Sequence, residues 1–154
     1  MVSTGSAPSN ACLAAAAHHV AHDLELFEIA WAERGTRLGW TLWFILARSL
    51  MGFFFSSQRK PGTDDILAVD FPAREPWGPL ATQLLETAAE LPEYSAVRTA
   101  ANKNAAHLTY KRTDADAASR IAPSDVVHRF VLGVASTWMG RLKPEARVWF
   151  GKTG

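Results

Sequence analysis

The sequence predicts an all-α fold, a bundle of about five helices. Apolar residues recur at spacings of three and four through several long stretches, the period of a helix with one buried face. Short segments rich in proline, glycine and serine separate those stretches. No run alternates apolar and polar residues in the two-residue rhythm of a half-buried strand.

Helix one is expected from about Ala11 to Arg34, with Ser9 or Asn10 as its cap and Gly35 as its stop. Leu13, Ala17, Val20, Leu24, Phe27 and Trp31 form its core stripe, and Ala15, Leu26 and Ile29 a weaker second strip suited to a central position or an oligomer contact. Helix two is expected from Thr36 to Phe55, ending at the loop Ser56–Gly62. Asp64–Phe71 is too short for a core helix; it reads as extended chain or a single turn that tucks Leu67 and Phe71 against the bundle. Helix three begins near Trp77 or Pro79, because proline suits a first turn, and its stripe is Trp77, Leu80, Leu84, Ala88 and Leu91. Helix four opens near Pro92 and Glu93 and runs through Val97, Ala100, Ala101 and Asn104 to about Leu108. Lys111–Pro123 is polar and turn-like. Helix five follows, with Ser124 or Ala122 near its cap, the stripe Val127, Phe130, Val131, Val134, Trp138 and Leu142, and Pro144 as its end. His128 reads as a boundary residue. The chain thus divides into a flexible start (1–10), one helical domain (11–143) and a short tail (144–154).

The 154 residues hold one domain with a real core, at 48% apolar and 20% charged residues. The net charge of +1 argues against a broad basic face coating duplex nucleic acid. The single cysteine, Cys12, excludes an internal disulfide and a cysteine-rich zinc site, and fits a cytoplasmic setting. Leu38–Phe55 is apolar enough to suggest a membrane span. Arg48 near its middle opposes insertion by about 2.5–3.5 kcal/mol, and a helix apolar all round also suits the centre of a soluble bundle. No membrane role is expected. Of the six tryptophans, Trp31, Trp77 and Trp138 fall on core stripes and Trp40 and Trp43 on helix two, so they read as packing residues rather than a base-stacking platform.

Two blocks are more specific than the helical pattern: Leu46–Phe55, LARSLMGFFF, and Ala101–Arg112, ANKNAAHLTYKR, with DDILAVDF at Asp64–Phe71 between them. This order, across roughly Asp23 to Trp138, resembles a group of uncharacterised bacterial helical proteins that look like HEPN domains. The resemblance implies a homodimeric bundle. In active HEPN ribonucleases an Arg and a His on one helix meet their symmetry mates in a dimer cleft and cleave RNA without a metal, so no cofactor is expected. By this match His107 is the candidate acid/base. The motif is degenerate here: Ala101 stands where the Arg is expected, Leu46 where the group's His-x-Arg-x-Leu block has its His, and Arg98 is separated from His107 by eight residues. The resemblance therefore implies a degenerate ribonuclease or RNA-binding protein of a defence or toxin–antitoxin type system.

RNA cleavage by 2′-hydroxyl attack needs a base near neutral pKa and a cation for the phosphorane, roles that His107 and Arg48 fit. Asn102, Lys103 and Arg112 are candidate phosphate ligands, in a stretch with a local excess of basic residues. Each also has a plain structural reading. His107 can bond a carbonyl at a helix end, and Asn102 can lock helix packing. A buried Arg48 needs a partner such as Asp65, Asp70 or Glu28, and Arg112 suits a solvated loop. His18 and His22, spaced i,i+4, could present two imidazoles to one metal with a third ligand such as His107 or His128, and His19 and Asp23 form a second such pair; exposed helix surface is the plainer reading. A non-enzymatic interaction or dimerisation protein, using the second strip of helix one, is the alternative function.

Overall fold

A computed structural model describes residues 6–58, 65–106 and 121–151, with side chains at 103–106 excluded. The helices are α1 (Asn10–Ala32), α2 (Arg37–Phe55), α3 (Trp77–Ala89), α4 (Pro92–Ala106), α5 (Asp125–Arg141) and α6 (Pro144–Arg147). Single 3-10 turns lie at Ala68–Asp70 and Val148–Phe150. No strand occurs among the described residues, so the protein is an all-α helical bundle.

Three helices start where a side chain can accept a first-turn amide. Ser9 Oγ accepts from Cys12 N at 3.2 Å, Thr36 Oγ1 from Gly39 N at 3.0 Å, and Ser124 Oγ from Val127 N at 3.3 Å. The expected stop at Gly35 is corrected: α1 ends at Ala32 with Glu33 as C-cap. The chain turns early because Thr36 donates to the Glu33 carbonyl through both its amide (2.9 Å) and its hydroxyl (2.8 Å).

This corner makes Gly39 obligatory. A Cβ there would come within 2.1 Å of the Glu33 carbonyl oxygen, a fixed backbone atom already engaged by Thr36. Gly→Ala in a helix ordinarily stabilises by up to about 1 kcal/mol. Gly39→Ala is expected to do the reverse and cost about 1–3 kcal/mol by overpacking. Urea denaturation checks this, and a gain in stability would show the corner to be loose.

α2 is the central element. It packs most extensively on α1 and α4 and also touches α3 and α5. Trp43, Phe44, Leu46, Ala47, Leu50, Met51 and Phe54 are its buried apolar residues. It is the one helix among the described residues long and apolar enough to cross a membrane, and 44% of its most apolar window is buried inside the bundle. Leu67 and Phe71 are buried on either side of the Ala68–Asp70 turn, as their placement in the sequence leads one to expect.

The segment after α5 adds structure to the expected tail. Arg74 N donates to the Arg141 carbonyl at 2.8 Å and Lys143 N to the Pro72 carbonyl at 3.0 Å, a short antiparallel bridge centred on Ala73 and Leu142. α6 and the Val148–Phe150 turn then return the chain to the core, where Trp149 and Phe150 lie against Phe71.

Buried indoles find partners, as amphipathic aromatic groups require. Trp77 Nε1 donates at 2.8 Å to the Phe54 carbonyl, one of the acceptors left over at the end of α2. Trp138 Nε1 donates to the Ala68 carbonyl at 3.2 Å, and Trp43 Nε1 to His128 Nδ1 at 3.2 Å.

Candidate functional site

Arg48 is exposed, so the paired guanidinium that a buried position would demand does not arise. It leaves α2 beside Gly52 and Ser56, one and two helical turns further along. Across from it, Tyr94, Arg98 and Asn102 lie at four-residue spacing on α4. Together they line an open cleft of about 390 Å³, floored by Met51, Phe55 and Leu85.

The chemistry of this cleft is cationic. Arg48 and Arg98 both line it, and no carboxylate does among the described residues. Neither arginine has an ion-pair partner among the described residues. Tyr94 is buried against Phe130, with ring centroids 5.8 Å apart. Burial pushes its phenol pKa up, and nearby Arg98 partly offsets that, so at neutral pH the hydroxyl carries its proton and can donate. Two guanidiniums, a phenol and an amide form a donor-rich cradle suited to an oxyanion such as a phosphate diester.

Arg48 and Asn102 are thus brought to one cleft. Lys103 belongs to α4, but its side chain lies outside the described residues, as do all of His107 and Arg112. His107 follows the last residue of α4 in sequence. Sequence reasoning set Arg98 aside on its spacing to His107. The useful signal was a different spacing: Arg98 and Asn102 are i,i+4 and must share a face of α4.

A second cleft of about 530 Å³ lies on the other side of the α2 crest, between α1, α2 and the segment at Asp65–Leu67. Arg48, Gly52 and Ser56 line both clefts. Beside Arg48 and Ser56, its polar groups are His19, Asp23, Ser49 and Asp65, and the apolar walls include Ile45, Phe53 and Ile66.

His18 and His22 lie exposed on α1, and no group of three metal-ligating side chains occurs among the described residues. His128, suggested by the sequence as a third ligand or a boundary residue, is instead 5% exposed. Its ring lies 4.6 Å from both Phe27 and Trp31, and its Nδ1 accepts the Trp43 indole proton. Burial lowers its pKa; Glu28 and Asp125 act against that shift and Arg34 with it.

Comparison with known protein families, curated proteins and solved structures finds no match to this chain.

Proposed function

We propose that this chain is a HEPN-like, RNA-binding helical bundle of the bacterial cytoplasm. It works as a homodimer, holding a backbone phosphate between Arg48 and Arg98. Asn102 and Tyr94 supply neutral hydrogen bonds beside the two charges, and His107, just beyond α4, is the acid/base of any residual cleavage. The observation that carries this reading is the convergence of two arginines and Asn102 on an open cleft with no lining carboxylate among the described residues. Two exposed arginines lining one cleft, with no ion-pair partner among the described residues, leave both guanidiniums available to a bound anion. Arg is also the side chain best shaped for bidentate phosphate contacts.

The test is binding of labelled single-stranded RNA as a function of salt. Each phosphate contact on a single strand contributes a slope of about −0.7 in log affinity against log salt. Arg48→Ala and Arg98→Ala should each weaken binding about tenfold or more and remove about one contact's worth of slope. His107→Ala should keep binding and lose any cleavage that the unmodified protein shows. A protein that neither binds nor cuts a random RNA pool would end this reading.

The alternative, a non-enzymatic interaction or dimerisation protein, is favoured by large apolar side chains left in solvent. Leu38 and Val148 are 77% and 74% exposed, and Ile29 and Ile45 are 49% and 41% exposed. Mass in solution together with RNA binding addresses it: both readings expect a dimer, and a dimer that binds no RNA and is broken by Leu38→Glu would fit this one alone.

A further inference from the structure

We propose that the second cleft is a nucleobase pocket that prefers guanine, reading the base attached to the phosphate held at Arg48. This rests on the RNA reading above and assigns the part of the ligand that the first cleft leaves unplaced.

The two clefts meet at the α2 crest, where Arg48, Gly52 and Ser56 line both. Gly52 is exposed, and a Cβ there would touch nothing within 4 Å. Neither crowding nor a left-handed backbone requires glycine at this point of a long helix, where it costs up to about 1 kcal/mol relative to Ala. Gly78, Gly133 and Gly140 have similar free space, but none of them lines either cleft. At Gly52 the missing side chain lowers the crest between the clefts, so a sugar can pass close to the helix backbone.

Charge then sets the direction of the ligand. The first cleft offers Arg48 and Arg98. The second sets Asp23 and Asp65 against Arg48 alone, and these carboxylates repel a phosphate but accept hydrogen bonds from a neutral base. The anionic end of a nucleotide therefore belongs in the first cleft and its base in the second. Phe53, Ile45 and Ile66 supply apolar surface for the ring, as ligand pockets commonly do.

The polar pair on α1 matches one base edge better than the others. His19 and Asp23 are i,i+4 neighbours, and Asp23 is half-buried. A carboxylate accepts two parallel N–H bonds from the N1 and N2 positions of guanine, while an imidazole N–H reaches the adjacent O6. Adenine and cytosine each present one exocyclic amine on that edge. Uracil presents a single N–H between two carbonyl oxygens, which a carboxylate repels.

Competition for labelled single-stranded RNA by GMP, AMP, CMP and UMP tests this. GMP should compete about tenfold or more better than UMP, the discrimination expected of one good bidentate base contact. Asp23→Asn should bring GMP and UMP to within about twofold of each other without weakening UMP. Arg48→Ala should weaken all four alike. Equal competition by GMP and UMP, with binding that still depends on Arg48, would overturn the base pocket and leave the phosphate cleft standing. The same result follows if Asp23→Asn retains the GMP preference. Absence of any nucleotide or RNA binding would overturn both.

Discussion

Trp138→Ala is expected to destabilise the protein by about 3–5 kcal/mol, at the upper end of core truncations. Trp138 is fully buried, and its ring meets Phe53 at 5.2 Å, Phe54 at 5.6 Å, Phe71 at 5.2 Å and Phe150 at 5.4 Å, all steeply inclined to it. Those partners come from α2, from the chain after the Ala68–Asp70 turn and from the C-terminal turn, so one side chain joins three segments to α5. Removing it opens a void that rigid aromatic neighbours fill poorly and also strips a donor from the Ala68 carbonyl. Against a typical total of about 5–15 kcal/mol, the loss is a large share of the stability. The melting temperature should fall on the order of 10 °C. Trp138→Phe keeps a ring and loses only part of the volume and the N–H, so it should be milder. Thermal and urea unfolding of the two variants measure this, and a cost under about 1 kcal/mol for Trp138→Ala would mean that the cluster is not a cohesive core.

The helices were legible because their causes are local. Ser9 and Ser124 cap where a serine precedes a periodic run, and Leu13, Ala17, Val20 and Phe27 are buried at their helical spacing. The end of α1 was not legible from Gly35, because Thr36 supplies a competing bond to Glu33 that a stop-signal rule does not weigh. The C-terminal turn was missed for a related reason. Short apolar runs such as Val148–Phe150 have no period of their own and are ordered by tertiary contact with Phe71 and Trp138.

The site was half legible. Arg48 and Asn102 stood out as polar residues in distinctive blocks, but their convergence depends on how α2 faces α4, which no single-helix pattern encodes. An arginine in an apolar helix needs a partner only if it is buried; the α2 face that carries Arg48 is the crest between two clefts, and it is exposed there. His128 misled in the opposite sense. A histidine beside valines on a helix reads as a boundary residue, and only the approach of Trp43 from α2 gives its buried nitrogen a donor.

That contact leads to a second large effect, in pH. Trp43 donates its indole proton to His128 Nδ1, so the imidazole is neutral with its own proton on Nε2. Protonating Nδ1 would set two N–H groups against each other in a site enclosed by Phe27 and Trp31. The groups facing His128 temper this without reversing it: Glu28 and Asp125 favour the cation, Arg34 opposes it, and burial, the largest influence, lowers the pKa. The unfolded chain, with an imidazole pKa of about 6.5, therefore takes up this proton before the folded one does. The stability contributed by neutral His128 is fully present above about pH 6.5 and is lost as pH falls through the lower folded value. The slope from this single proton reaches at most about 1.4 kcal/mol per pH unit. His128→Phe should remove that component between pH 5 and about 7, above the range where ordinary carboxylates titrate. Trp43→Phe should cost about 1–3 kcal/mol at pH 8 by leaving Nδ1 without a partner. It should also lessen the acid slope without abolishing it, since an imidazolium no longer faces an opposing donor but is still buried. Urea unfolding at half-unit pH steps distinguishes the two variants, and a wild-type stability that stays constant from pH 8 to 5 would show that His128 is not held neutral by this contact.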